Sequence, residues 1–336
     1  EHHKKELSEK MVAYINTDAT SRGFLGISGS HTLEKFVNEV REEVDDPLVD
    51  ASLQERLRAR MMVNGSKYAD RKDLPIGALG AGSDYTPFLH HAGIASLNMG
   101  MGGEAGGGSY HSAYDSFDYY TRFMDPTFEY GVTLAKSTGR VTLRLADTDV
   151  LPFRFTNFVD HVAQYAKELK EFAVEVREKT KHNNKLVDQN AYSLAAHPDK
   201  TYVLPKKLDS VPLFDFSPID NALARLRTSA NRYEVALTNN IKKGGRPSGD
   251  EAQNLNQILM KSERAMMREE GLPRRDWFKH MIYAPGLYTG YGVKTLPGIR
   301  EGLEERKWDE VNLFIGEVAA ALNRVADELD RATSLL

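Results

Sequence analysis

The pattern of hydrophobic and polar positions divides the chain into a first part that alternates strands with helices and a second part that is helical. Two apolar runs, 11–16 and 93–98, have the length of buried strands. Segments with helical periodicity surround them. These predicted helices cover 1–13, 32–44, 51–61 and 125–146. This alternation predicts a mostly parallel sheet covered by helices, which is the α/β class.

The character of the chain changes near residue 150, where long amphipathic segments begin. The predicted helices of this part cover 156–180, a segment from 217, about 250–269 and about 308–333. Four such helices predict an all-α four-helix bundle. We therefore expect an α/β domain at 1–150 and a helical domain at 151–336. A loop rich in tyrosine and glycine, 282–292, lies between the last two helices.

Charge and composition narrow the functional class. The net charge of −4, with scattered basic residues, gives no electrostatic reason to expect nucleic acid as a partner. The absence of cysteine excludes disulfides and thiolate metal sites. No apolar run reaches the roughly 18–20 residues of a membrane span. Because the chain starts at Glu1, without methionine, we expect a fragment or a processed product.

Two polar residues have the chemistry of zinc ligands. Asp18 comes just after the first predicted strand, and ligand groups gather at the carboxyl ends of strands in open α/β sheets. His111 follows the glycine-rich stretch 106–108 and stands in a Tyr-His-Ser-Ala-Tyr-Asp motif at 110–115. Carboxylate oxygen and imidazole nitrogen both bind zinc at about 2.0–2.2 Å. Two ligands do not complete a catalytic site, and turn capping by Asp18 or an exposed loop histidine are the alternatives.

A second glycine-containing segment, Gly-Ala-Gly-Ser-Asp at 80–84, is a candidate for substrate contact. Glycine lets backbone N–H groups approach a ligand closely. The alternative is a turn that precedes a helix. Neither this segment nor 102–108 matches a phosphate loop or a dinucleotide fingerprint, so nucleotide binding has little support.

Taken in order, the motifs resemble those of the glutamate carboxypeptidase II and transferrin receptor-like group of M28 zinc peptidases. They are Tyr-Ile-Asn-x-Asp at 14–18, Gly-x-Gly-x-Asp at 80–84, Gly-Ile-Ala-Ser at 93–96, Tyr-His-Ser-x-Tyr-Asp at 110–115, Leu-Pro-Phe at 151–153, Gly-Leu-Pro-x-Arg at 271–275 and Ile-Tyr-Ala-Pro at 282–285. The resemblance covers nearly the whole chain. It implies that 1–150 is the C-terminal part of a peptidase domain and that 151–336 is a homodimerisation domain.

The resemblance also implies roles for individual residues. Asp18 corresponds to a ligand of one zinc ion, His111 to a ligand of the other, and Tyr110 to the tyrosine that assists the scissile carbonyl or the bound product. The residues implied in the substrate pocket are Gly82, Ser83, Asn98 and Tyr291. The implied cofactor is a pair of zinc ions, and the implied partner is a missing N-terminal portion that carries the other ligands and the general base.

The pocket departs from the glutamate-specific members of the group. Those enzymes have a lysine before the tyrosine that grips a terminal glutamate, whereas this chain has Gly290 before Tyr291. Asn98 and Gly100 stand where arginines are expected. A lost ammonium–carboxylate contact is worth roughly 1.5–3 kcal/mol. We therefore expect a less acidic or broader peptide substrate.

Three readings follow from the sequence. The leading one is a zinc-dependent, carboxypeptidase-like exopeptidase, and joint retention of Asp18 and His111 favours it. The second is a non-catalytic receptor-like or scaffold protein on the same fold. The third is an autonomous helical interaction module. The resemblance also implies a location outside the cytoplasm, whether periplasmic, secreted or membrane-anchored.

Overall fold

The structure is a computed structural model, and it describes residues 2–242, Gly245 and residues 247–336. Helices contain more than half of these residues. The helices are α1 Lys4–Lys10, α2 Glu34–Glu43, α3 Leu53–Val63, α4 Phe117–Tyr119, α5 Glu129–Ala146, α6 Thr156–Asp188, α7 Ala191–Ala195, α8 Ser217–Lys242, α9 Gly249–Arg264, α10 Pro297–Glu304 and α11 Trp308–Ser334. The strands are β1 Tyr14–Asn16, β2 Gly23–Gly29, β3 Ser96–Gly103, β4 Tyr283–Pro285 and β5 Val293–Thr295.

The sheet in the first part of the chain has the order β1-β3-β2 and is mixed. β1 pairs with β3 in parallel, which sets Asn16 opposite Asn98. β2 pairs with β3 antiparallel along its whole length. The prediction of a mostly parallel sheet is therefore wrong for these strands. Only residues 17–22 connect β1 to β2, and a parallel crossover needs a dozen or more residues.

Strand β2 lies at one edge of this sheet, and arginine side chains cover that edge. Arg56 donates to the carbonyl oxygen of Gly23 at 3.0 Å, and the buried Arg41 donates to that of Leu25 at 3.2 Å. At Gly23, where φ is +141°, a Cβ atom would lie 2.0 Å from the carbonyl oxygen of Gly102. Glycine is required there because the two strands approach too closely for a side chain.

The second part of the chain consists of packed helices, as its periodicity predicts. α11 lies at the centre, in contact with α8, α9 and α10, and α6 packs against α8. The apolar stripe of α11 is buried along the whole helix. Its members include Val311, Phe314, Val318, Leu322, Val325 and Leu329. No helix among the described residues has the length and apolar character needed to cross a bilayer.

The hydrophobic core runs without a break from the sheet into the helices. Leu151, Phe153 and Phe155 are all buried within it, close to the point where we predicted a domain boundary. β4 and β5 form a separate hairpin between α9 and α10. The division into domains at residue 150 stays a prediction.

Polar side chains, buried or half-buried, also join the two parts. Nε2 of His161, on α6, lies 2.6 Å from a carboxylate oxygen of Glu34, on α2. His31, just before α2, contacts the hydroxyl of Tyr165 at 2.7 Å, and its ring stacks on that of His161 at 3.9 Å. These contacts fix α6 against α2, because a buried polar group that loses its partner costs about 1–3 kcal/mol.

A second buried polar cluster extends the junction to α9 and β4. One carboxylate oxygen of Glu263 accepts hydrogen bonds from Ser30 Oγ at 3.0 Å and from the hydroxyl of Tyr283 at 3.2 Å. The same oxygen lies 3.2 Å from Nε2 of His280. Since Nδ1 of His280 accepts from the backbone N–H of Ile282, Nε2 is the protonated nitrogen and donates to Glu263.

The contact between α10 and α11 provides a test of close packing. A Cβ atom on Gly298 would lie 2.2 Å from Cδ1 of the buried Phe314 ring. We expect Gly298→Ala to lower the free energy of unfolding by about 1–3 kcal/mol, because the ring has to shift in a packed core. Gly316→Ala, on the exposed side of α11, should raise it by about 0.5–1 kcal/mol. Urea unfolding measures both, and equal effects would contradict this packing.

The junction histidines predict how stability depends on pH. Burial, followed by the nearby His161 and His280, holds the pKa of His31 well below its usual value. Below about pH 6.5 the unfolded chain therefore binds a proton that the folded chain excludes, and stability falls as the pH drops. The loss reaches up to about 1.4 kcal/mol per pH unit. Urea unfolding measured between pH 7.5 and 5 should show that the free energy of unfolding falls less steeply with decreasing pH in His31→Gln than in the wild type. The exposed His182→Gln serves as control, and an unchanged slope in His31→Gln would refute the prediction.

Candidate functional site

A chain of hydrogen bonds lies at the end of strand β1, beside the third residue of the parallel strand β3. Asn16, the last residue of β1, is buried, and its amide nitrogen donates to Oδ1 of Asn98 at 3.0 Å and to Oγ of Ser83 at 3.2 Å. Its amide oxygen lies 3.4 Å from the hydroxyl of Tyr14. The sequence indicated Asn98 and Ser83 but not the residue that joins them. Its position at the end of an apolar strand, two residues before Asp18, was the available signal.

This chain of hydrogen bonds ends on Asp18. The hydroxyl of Ser83 donates to Oδ1 of Asp18 at 2.7 Å, while the carboxylate itself is exposed. Ser83 thus accepts from Asn16 on one side and donates to Asp18 on the other. The carboxylate is held by one oxygen and faces solvent, an arrangement suited to a metal ligand whose orientation is set by a second residue.

The charge of Asp18 contributes to the raised pKa of two neighbouring tyrosines. Burial first, and then the charges of Asp84 and Asp18, raise the pKa of Tyr14. Burial is also the main cause that raises the pKa of Tyr85, with Asp18 adding to it and the N–H of Gly82 opposing it. Both hydroxyls therefore stay neutral at neutral pH, and they remain available as hydrogen-bond donors.

The tyrosine- and glycine-rich loop of the second part reaches this site. The carbonyl oxygen of Tyr291 accepts the backbone N–H of Ala81 at 3.2 Å. It lies so close to Gly80 that a Cβ atom there would be 1.9 Å away, and a Cβ on Gly82 would touch the Tyr291 side chain at 3.7 Å. The structure therefore connects Asn98 through Asn16 to Ser83 and Asp18, and it places Tyr291 beside Gly82. That these residues form a substrate pocket stays a prediction.

Tyr110 and His111 lie elsewhere, on an exposed turn between β3 and α4. Their rings stack on each other at 3.8 Å, and Tyr110 is 67% exposed. His111 has a φ of +56°, and the turn is closed by Ser112 donating to the carbonyl oxygen of Ser109. Among the described residues, His111 and Asp18 share no direct hydrogen bond or ion pair. The structure does not join these two predicted ligands directly.

The ligand atoms of Asp18 and His111 can be compared with those that zinc prefers. Asp18 offers a carboxylate oxygen and His111 an imidazole nitrogen, both are exposed, and both belong to the ligand types that zinc prefers. Ligands that bind two different ions are not expected to touch each other. In chemistry the two residues fit zinc, and each would supply one ligand.

A different group of possible ligands lies at the junction between the two parts. His31, Glu34 and His161 each place a ligand atom within 4.8 Å of the others. Nε2 of His161 already faces Glu34, Nε2 of His31 faces Tyr165, and the two imidazole rings are stacked. Ring nitrogens directed this way do not converge on one point, so we interpret the group as a buried polar contact. The sequence gave no signal for it.

Comparison with known proteins identifies the second part of the chain. Residues 214–330 match the transferrin receptor-like dimerisation domain. This match covers α8 to α11 with the β4–β5 hairpin, and it extends almost to the C-terminal end of α11.

Several relatives match over nearly the whole chain. The probable glutamate carboxypeptidase LAMP1 of Arabidopsis thaliana is 30% identical over 97% of this chain and 41% of its own length. The aminopeptidase NAALADL1 of Rattus norvegicus is 25% identical over 98% of this chain and 41% of its own length. A protein of Schizosaccharomyces pombe named as an inactive zinc metalloprotease is 22% identical over 98% of this chain and 36% of its own length.

The chain thus spans about two fifths of the length of the relatives that it matches. Their names describe peptidases of both exopeptidase directions, together with one protein named as inactive. With the matched dimerisation domain, these relatives show that the chain belongs to the glutamate carboxypeptidase and transferrin receptor-like family.

Proposed function

We propose that this chain forms the C-terminal part of a dizinc, carboxypeptidase-like exopeptidase of the M28 type, in which Asp18 and His111 each bind one zinc ion. The hydrogen bond from Ser83 to Asp18 carries the proposal. It continues through Asn16 to Asn98 on the neighbouring strand, so the carboxylate is oriented by the sheet itself. Residues that orient metal ligands in this way are typical of functional metal sites.

The residues of this chain have distinct tasks in the proposed reaction. Bound zinc would supply a Lewis acid and lower the pKa of a water molecule. Tyr110 donates its phenolic hydrogen to the oxygen that becomes negative when the peptide carbonyl is attacked. Its ring is stacked on His111, so the phenol and the imidazole hold a fixed relation to each other.

The substrate pocket is formed by Gly82, Ser83, Asn98 and Tyr291. Ser83 and Asn98 offer neutral hydrogen-bonding groups, and Tyr291 offers an exposed ring beside Gly82. Over the described residues, the hydrogen-bonded set around Asn16 contains no lysine or arginine. A pocket without a lysine or arginine in this set gives a terminal glutamate no cationic partner, so it favours peptides whose terminal side chain is uncharged.

The proposal includes two partners. An N-terminal portion supplies the remaining zinc ligands and the general base, since Asp18 and His111 provide only two ligands. A second copy of the chain binds through the helical part, four helices of which form the dimerisation bundle, as the matched dimerisation domain supports. We also propose a location outside the cytoplasm, by analogy with the family.

A second candidate function is a non-catalytic scaffold on the same fold. The relative named as an inactive zinc metalloprotease supports this alternative, since it matches nearly the whole chain. The two candidates differ in what they require of Asp18 and His111. A scaffold needs neither the oriented carboxylate nor the exposed imidazole, and this chain has both.

Substitution of the two proposed ligands tests the function in the full-length protein that carries this chain. We expect Asp18→Asn and His111→Ala each to lower kcat/KM for peptide hydrolysis by more than about 100-fold. Loss of a residue that merely orients a metal ligand already costs about 10–100-fold. Each variant should also lose zinc, measured by plasma mass spectrometry, while light scattering still detects a dimer.

Matched controls come from an exposed segment that lies away from the site. Asp199→Asn and His197→Ala make the same chemical changes and should leave activity and zinc content unchanged. Full activity in both ligand variants would remove Asp18 and His111 from the metal site. A wild-type dimer that holds no zinc and hydrolyses no peptide would instead favour the scaffold.

A further inference from the structure

His90 lies between the two segments that form the substrate pocket. It belongs to a π-helical turn, Pro87–His91, and its side chain is fully buried. Nε2 lies 2.5 Å from the carbonyl oxygen of Gly80, and Nδ1 lies 3.1 Å from that of Tyr283. Gly80 opens the segment that carries Gly82 and Ser83, whereas Tyr283 begins β4, which leads into the loop that ends at Tyr291.

The chemistry of these contacts shows which ring nitrogen of His90 carries the proton. Both partners are carbonyl oxygens, which only accept hydrogen bonds, and a neutral imidazole has a single N–H. Burial, with His280 and Arg275 adding to it, lowers the pKa of His90 to about 3 against the opposing effect of the two carbonyls. The ring is therefore neutral at neutral pH, and the shorter contact identifies Nε2 as the donor to Gly80. Nδ1 is then unprotonated, so it packs against the carbonyl oxygen of Tyr283 without a hydrogen bond.

The same two segments meet again at the surface of the pocket. The carbonyl oxygen of Tyr291 accepts the N–H of Ala81 and occupies the space that a side chain on Gly80 would need. Gly80 is thus in contact with the buried His90 through its carbonyl oxygen and with the exposed Tyr291 through its Cα. Within the described part of the chain, the hydrogen bond from Ala81 to Tyr291 is a polar link between Gly80–Ala81 and that loop, and Tyr291 is 61% exposed.

We propose that His90 is the positioning residue of the substrate pocket. Through its hydrogen bond to Gly80, and because its buried ring fills the space against the backbone of Tyr283, it sets the distance between Tyr291 and the Ser83–Asp18 pair, and so determines how the terminal residue of a peptide fits. The kinetic part of this inference rests on the function proposed above. The structural part concerns two segments of this chain and is independent of catalysis.

Hydrogen–deuterium exchange tests the structural part directly, with His91 as a matched control. His91 is the next residue, stacks on Trp277 and contacts its carbonyl oxygen at 2.9 Å, but contacts neither pocket segment. In His90→Leu we expect amide exchange to become at least about tenfold faster at 80–86 and 286–293. His91→Leu should leave exchange in both segments unchanged. Unchanged exchange in His90→Leu, or equal acceleration in the two variants, would overturn the proposal.

Kinetics test the consequence for substrate binding. We expect His90→Leu to raise KM about tenfold or more, with kcat changed less than about threefold, because the zinc ligands keep their places. His90→Gln retains an N–H near the position of Nε2 and should restore both KM and slow exchange. If His90→Leu does not fold, the glutamine variant tests the proposal by itself. His90→Gln must then show wild-type KM and wild-type exchange, and a raised KM or faster exchange would overturn the positioning role.

The outcomes separate this inference from the proposed function. A wild-type protein without peptidase activity would refute the function, while the exchange data would still confirm or refute the role of His90. An active protein in which His90→Leu lowers kcat and leaves KM and exchange unchanged would refute the positioning role alone.

Discussion

The parallel pairing of β1 with β3 is the constraint on which the rest of the site depends. It sets Asn16 opposite Asn98, so that one amide donates both to its neighbour and to Ser83. Because β1 ends beside Asn98 while β3 continues to Gly103, the residues that follow β1 start next to a strand that is already fixed in the sheet. Asp18 receives its orientation from this point of the sheet through Ser83. A shift of one residue in the register would turn Asn16 to the other face and remove the support of the carboxylate.

The second part of the chain completes the site because it is fixed to the first part by more than apolar contact. Buried carboxylates at the junction, Glu34 and Glu263, face side chains from α6 and β4. Such groups are costly to bury and have to be matched when the parts assemble. They therefore specify one arrangement, whereas an apolar interface tolerates sliding. That arrangement places the loop ending at Tyr291 above Gly80 and Gly82.

The sequence predicted the long helices, because their apolar residues repeat at helical spacing over many turns. α6, α8 and α11 follow from their apolar stripes, whereas the pocket role of Ser83, Asn98, Gly82 and Tyr291 comes from the resemblance and stays a prediction. β2 was missed because its glycines, at Gly23, Gly26 and Gly29, interrupt the strand pattern. The mixed pairing was missed because sequence periodicity contains no strand direction. The junction cluster and the role of His90 were missed because each depends on partners more than 100 residues away in the chain.

The two proposed zinc ligands differ in how the fold prepares them, and this difference bears on the choice between peptidase and scaffold. Asp18 is oriented by a hydrogen-bond chain that starts in the sheet, whereas His111 stands on an exposed turn in the left-handed backbone region, at a φ of +56°. That conformation costs a residue other than glycine roughly 1–2 kcal/mol. Among the described residues, five others that are not glycine have the same backbone conformation, namely Phe128, Asn190, Arg274, Leu296 and Arg306. The positive φ of His111 is therefore shared by positions with no part in the proposed site, and a scaffold accommodates it as well as a peptidase does. The structural support for the proposed peptidase lies instead in Asp18, whose carboxylate is oriented by Ser83 and Asn16, an arrangement typical of residues that support metal ligands.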